Sequence, residues 1–124
     1  MSHVDLILYQ EDDGTVPLVD WLDGLVPKAR DKCLVRLERL EELGQDLRRP
    51  EADYLGDHIS ELRAKHLGIN YRMLYFFQGT KVVVVSHGFS KQASRVPKLE
   101  IDKAIHRMTA FHGAPTKHSF RPER

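Results

Sequence analysis

A single cysteine, Cys33, excludes an internal disulfide, and with no Cys-x-x-Cys pair the chain offers no thiolate zinc site. Long apolar runs are also missing. Runs such as Leu6 to Tyr9 and Val82 to Val85 are strand-sized, so neither a membrane-spanning helix nor a secretory leader is expected and the cytoplasm is the expected compartment. No excess of one charge exists either: 19 basic against 18 acidic side chains leave a net charge of +1, which argues against a general coat for nucleic acid. The histidines lack ligand spacing at 58, 66 and 87, and His106 and His112 are too far apart on a helical stretch, so no metal or other cofactor is expected. Repeats and low-complexity tracts are absent as well.

What is present is enough for one domain. With 124 residues, 41% hydrophobic and 30% charged, the chain reads as a single globular unit over residues 1–113. Residues 114–124 have little to bury and are expected to form a flexible tail. The charge is unevenly spread. Residues 1–47 hold eleven acids against five bases, whereas residues 48–98 hold nine bases against four acids. That pattern points to a local anion site on a nearly neutral protein.

Periodicity orders the elements. Val4 to Gln10 is rich in β-formers and reads as a strand closed by Glu11-Asp12-Asp13-Gly14. Pro17 opens a helix bearing Leu18, Trp21, Leu22 and Leu25, and Pro27 opens a second, whose stripe is Ala29, Cys33, Leu37 and Leu40 up to Gly44. Arg36 and Arg39 fall on its wet faces. A polar connection over 45–57 leads into three strands near 58–65, 69–78 and 81–88, the middle one apolar on both faces and so central. Pro97 starts a last helix with Ile101, Ala104, Ile105, Met108 and Phe111 on one face. The order β-α-α-β-β-β-α predicts an α+β fold, a small antiparallel-rich sheet packed against a helical hairpin with a C-terminal helix.

The three consecutive strands carry the chemistry. A two-residue turn at Leu67-Gly68 sets Arg63 opposite Arg72, and one at Gly79-Thr80 sets Arg72 opposite His87, Leu74 opposite Val85 and Phe76 opposite Val83. The expected row is Arg63, Arg72, His87, with Lys91 and Arg95 leaving at the same end. Two guanidiniums placed opposite each other weaken a sheet, which points to stored repulsion relieved by an anion such as phosphate. Glu61 shares the face of Arg63, so an ion pair with Arg63 and Arg72 is the competing structural reading. Tyr71, Met73, Tyr75 and Phe77 alternate with the basic row and are expected on the opposite, helix-covered face, and Cys33 as a buried inert thiol.

Four stretches, Ile59-Ser60-Glu61-Leu62-Arg63, Tyr71-Arg72-Met73-Leu74-Tyr75-Phe76-Phe77, His87-Gly88-Phe89-Ser90-Lys91 and Val96-Pro97-Lys98-Leu99-Glu100-Ile101 with Ala104 and Arg107, resemble the HigB-like, phage-derived branch of the RelE/ParE toxin superfamily. The resemblance implies a type II toxin that cleaves messenger RNA on the ribosome by attack of a ribose 2′-hydroxyl on the adjacent phosphate. It also implies a helix-turn-helix, HigA-like antitoxin as partner, with a hetero-tetramer as one assembly, and no membrane. Carried over residue by residue, it makes Arg63 and Arg72 phosphate clamps and Lys91 a transition-state cation or proton donor. His87 is a candidate base or acid, Lys65, Arg95 and Glu61 are RNA-contacting candidates, and Glu61 is a second base candidate. This chain departs from the branch in having Lys91-Gln92 where paired lysines are usual, and in having no tyrosine after Tyr75. Two alternatives stay open: a ParE-like gyrase inhibitor without nuclease chemistry, and a degenerate toxin acting only in a DNA-binding repressor complex. The acids Glu11, Asp12, Asp13, Asp20 and Asp23 form the expected surface for a basic antitoxin.

Overall fold

The structure, a computed structural model, describes residues 3–91 and 95–122, with the side chain of Lys91 outside the description. Strand β1 (Asp5–Tyr9) is followed by helices α1 (Pro17–Asp23) and α2 (Pro27–Leu43), each with proline in its first turn, where the missing N–H has no intrahelical partner to lose. Then come β2 (Ala52–Gly56), β3 (Ile59–His66), β4 (Ile69–Gln78), β5 (Val82–Lys91), α3 (Lys98–Gly113) and the two-residue β6 (Ser119–Phe120). The mixed α+β class expected from the order of elements is the class observed.

The sheet runs β2-β3-β4-β5-β1-β6, with β1 parallel to β5 and every other pair antiparallel. Its middle strands are buried on both sides. Leu62, Met73, Tyr75, Val83 and Val85 meet Leu18 and Leu22 of α1 and Ala29, Cys33, Leu37 and Leu40 of α2. On the other face Ile59, Leu74, Phe76 and Val84 meet Ala104 and Phe111 of α3. Strand β4 is thus central, and Tyr71, Met73, Tyr75 and Phe77 lie on the helical-hairpin side as their alternation requires. Gly88 lies against α1: a Cβ there would sit 2.2 Å from the Trp21 ring, so only glycine admits the indole. Among the described residues no helix is long and apolar enough to cross a membrane.

Two expectations are corrected. The connection over 45–57 contains β2, an edge strand whose mixed polar sequence gave no strand pattern and which is held by pairing Ala52 with Leu62 and Tyr54 with Ser60. The segment from Thr116 to Pro122, expected to bury little, instead adds β6 to the edge at β1. His118 is buried there, stacked on Tyr9 at 4.9 Å with its Nδ1 2.8 Å from the Gln10 carbonyl, and Arg121 pairs with Asp5. These are tertiary contacts that local propensity does not encode.

Candidate functional site

The hairpin at Leu67-Gly68 has both turn residues at positive φ, 51° and 81°, and fixes the expected register: Arg63 pairs with Arg72. The second hairpin differs. Its loop is Gly79-Thr80-Lys81, because Gln78 pairs with Val82, and Phe76 faces Val84 while Tyr75 faces Val85. A one-residue shift alone would turn every side chain of β5 to the wrong face. A bulge at Ser86 inserts a second residue and restores the parity, so that Leu74 faces His87 and Arg72 faces Phe89. The row expected as Arg63, Arg72, His87 is therefore Arg63, Arg72, Phe89, and His87 lies in the neighbouring row of Asp53, Glu61 and Leu74. Lys65, Asn70 and Lys91 form the row on the other side.

Charge on this face is arranged as an alternating chain. Glu61, 2% exposed, takes Arg72 Nη1 on Oε1 at 2.6 Å and Arg63 Nη2 on Oε2 at 3.0 Å. The same Arg63 nitrogen reaches Asp53 Oδ2 at 3.1 Å, which also accepts from Arg49 at 3.0 Å. Arg49, and behind it Arg63, hold the Asp53 carboxyl below the usual carboxylate range. The two opposed guanidiniums are thus bridged by an internal carboxylate. This corrects the expectation of stored repulsion and matches the competing ion-pair reading. The partners differ in access: the Arg72 side chain is 7% exposed, that of Arg63 36%. Lys65 and Arg95 are exposed at the same end, and Lys91 closes β5 there, its side chain outside the described residues, as is the whole of Gln92.

The backbone under Arg63 is clamped from α2. Arg36 Nε donates to the Arg63 carbonyl at 2.7 Å, and the Arg63 N–H donates to the Glu51 carbonyl at 2.8 Å. The Glu51 carboxylate takes two hydrogen bonds from Arg39, each 3.0 Å, and lies 3.3 Å from Arg36. Sequence reasoning put Arg36 and Arg39 in water and passed over Glu51 and Asp53. The spacing of the two arginines on α2 fits the exposed stripe, and the acid they share, Glu51, stands just before the unrecognised β2.

His87 is buried beneath α3, with Ser86 Oγ 2.7 Å from Nδ1 and Glu100 Oε1 3.0 Å from Nε2. Burial is the largest influence and pushes the imidazole down to about 4, against the opposing pull of Glu100. The neutral ring donates from Nε2–H to Glu100 and accepts the Ser86 hydroxyl proton on Nδ1. Both nitrogens are occupied, which leaves no ring atom for a substrate proton. An expected result follows for stability. The unfolded chain's imidazole binds a proton near pH 6.5 and the folded one only near 4, so stability is full above about 6.5 and falls as pH drops between those values. The loss is on the order of 2–3 kcal/mol. Urea unfolding at pH 7 and 4.5 measures it; His87→Gln should start less stable and show a flatter pH dependence, and an equal slope in both proteins would refute the assignment.

The acidic surface near the first turn is largely engaged at home. Asp13 Oδ1 accepts from the Thr15 N–H and hydroxyl at 3.0 and 2.7 Å, and Asp12 lies 3.3 Å from Lys117 and 3.8 Å from His118. Glu11 meets Arg107 at 3.3 Å. Asp20 and Asp23 remain exposed on α1. Among the described residues no group of three or more histidine, cysteine, aspartate or glutamate side chains is placed to hold a metal ion.

The family model for phage-derived protein Gp49-like (DUF891) matches residues 20–109, which take in the end of α1, all of α2, β2 to β5 and most of α3. No curated protein matches the chain.

Proposed function

This chain belongs to the Gp49-like family of phage-derived proteins, part of the RelE/HigB-like toxin group, and from that membership we propose that it is a ribosome-dependent messenger RNA endonuclease. The family is associated with the toxins of toxin–antitoxin systems. The single observation that carries the proposal is Arg63: a half-exposed guanidinium, fixed by Asp53 and Glu61, with exposed Lys65 one row away and Lys91 across the same row.

In the proposed reaction the 2′-hydroxyl gives its proton to solvent as its oxygen bonds to phosphorus, and the bond from phosphorus to the 5′-oxygen breaks, that oxygen taking a proton from solvent, which gives a 2′,3′-cyclic phosphate and a 5′-hydroxyl end. Negative charge builds on the non-bridging oxygens. Cations held in place before the reaction stabilise that charge without reorganising, which is typically the largest protein contribution. Arg63 contacts the phosphate, Lys65 and Arg95 line its approach, and Lys91, at the end of β5, is the proposed transition-state cation. Arg72 is a positioning residue, since it is buried and acts on Arg63 through Glu61. His87 and Glu61 are both too engaged to take the 2′-proton, so the catalytic effect assigned to this chain is electrostatic.

A nearly neutral protein gains little from bulk attraction to RNA, and the ribosome supplies the in-line orientation of the message. Purified protein should therefore cut message on translating ribosomes and leave the same message intact when naked. Equal cutting of both at matched concentration would refute ribosome dependence. Intact message with relaxed plasmid DNA in expressing cells would favour the gyrase-inhibitor reading. An antitoxin of the HigA type remains the proposed partner, and the engaged state of Asp12 and Asp13 leaves Asp20 and Asp23 as its acidic contacts.

A further inference from the structure

Where α2 ends, the turn at Gly44–Asp46 and the loop into β2 border a groove of about 740 Å³. It lies on the hairpin-helix side of the sheet, the side away from Arg63. Tyr75 and Phe77 line it, packed edge to face with ring centres 5.7 Å apart. Tyr54 stands on the wall, 62% exposed, yet it is fixed at both ends: its hydroxyl accepts from the His58 N–H at 3.0 Å and its own N–H donates to Asp53 Oδ1 at 3.1 Å. An exposed aromatic ring held rigid is a preformed stacking platform. His58 itself is in the left-handed region at φ 68°, so the hydroxyl also anchors a turn residue that has little backbone freedom.

Cations border the rings. Arg48 and His58 line the groove and make no ion pair among the described residues, and Arg49 also lines it. Arg49 reaches Asp53, and Asp53 reaches Arg63, so the groove is joined around the β2 edge to the cations of the proposed active face by two ion pairs. An extended peptide could instead add to the open edge of β2. That edge is a poor template, because the strand has five residues, its register shifts between Tyr54 and Gly56, and Pro50 stands two residues before it. Rings with flanking guanidiniums favour a ligand that has flat faces and phosphates.

We infer that this groove is a subsite for single-stranded RNA, in which Tyr54 stacks one base and Arg48 and Arg49 bind the adjoining phosphates of the strand held at Arg63. The inference rests on RNA being the substrate. Stacking is indifferent to base identity, so the subsite adds affinity and direction to the strand with little sequence preference.

The test is titration of the isotope-labelled full chain with a 2′-O-methyl hexaribonucleotide, which cannot undergo 2′-attack, followed by NMR and fluorescence anisotropy. The resonances of Arg48, Tyr54 and His58 should shift. Tyr54→Ala and Arg48→Ala should each weaken binding about tenfold, and Tyr54→Phe, which keeps the ring, by much less. Shifts confined to Arg63 and Lys65, no shift at all, or a groove that answers an acidic hexapeptide and not RNA would each overturn the subsite. Cleavage on translating ribosomes separates this from failure of the enzymatic reading. If only the subsite is wrong, wild type and Tyr54→Ala cut equally; if the wild type does not cut, the reading beneath it is wrong.

Discussion

Arg63→Ala should cut ribosome-bound message about 10²–10³-fold more slowly than the wild type while keeping its fold, the loss typical of one preorganised transition-state donor. The fold survives because the Arg63 backbone is held independently of its side chain, by Arg36 on its carbonyl and by its N–H on the Glu51 carbonyl. The side chain itself is more than one-third exposed, so truncation opens no cavity in the core. Glu61 also keeps its Arg72 partner. Arg63→Lys should recover little, since an ammonium lacks the planar fork that lets one guanidinium hold Asp53 and Glu61 and still face outward. Single-turnover rates on translating ribosomes, paired with thermal melts, make the distinction. Arg72→Ala should lose activity and stability together, because it leaves the buried Glu61 carboxylate with Arg63 alone. A full-rate Arg63→Ala enzyme would remove Arg63 from the site, whatever Arg72 does.

The face of the sheet that carries these charges was legible from strand alternation, and the register only for the first of the two hairpins. Arg63 opposite Arg72 follows from a tight turn with glycine at its second position, where local chemistry decides the geometry. The next hairpin has a three-residue loop and a bulge at Ser86, and neither has a distinctive residue to announce it. The first shift exchanges the faces of residues 82–85, which four consecutive valines do not reveal, and the bulge restores the parity beyond Ser86, so Arg72 meets Phe89 where His87 was expected. His87 moved out of the basic row for that reason. Strand β2 and the β6 tail were hidden for another: they are edge elements, held by Asp53 on Arg63 of the next strand and by His118 on Tyr9 and Gln10, and contribute almost no periodic apolar signal. The opposite-face aromatics and the α2 stripe, by contrast, have the long, two-sided patterns that sequence reading is able to detect.

Glu61→Ala should destabilise the protein by about 3–5 kcal/mol, because it removes the carboxylate between two guanidiniums, one of them buried. The like charges of Arg63 and Arg72 would then face each other across a single pair of strands. Denaturant midpoints measure the loss, and a change below about 1 kcal/mol would show that the carboxylate holds nothing. The same variant asks whether this position receives anions. With the internal carboxylate gone, inorganic phosphate that binds the folded state should raise the midpoint of Glu61→Ala more than that of the wild type. Replacing the pair together, as Glu61→Leu with Arg72→Met, separates structure from chemistry. A buried ion pair exchanged for well-packed apolar side chains is often neutral or stabilising, so the double variant should recover most of the lost stability. Its Arg63 would lack one of the two carboxylates that fix it, and cleavage on the ribosome should stay low. Recovery of both stability and cleavage would mean that Glu61 and Arg72 only fill space beneath a guanidinium that Asp53 positions alone.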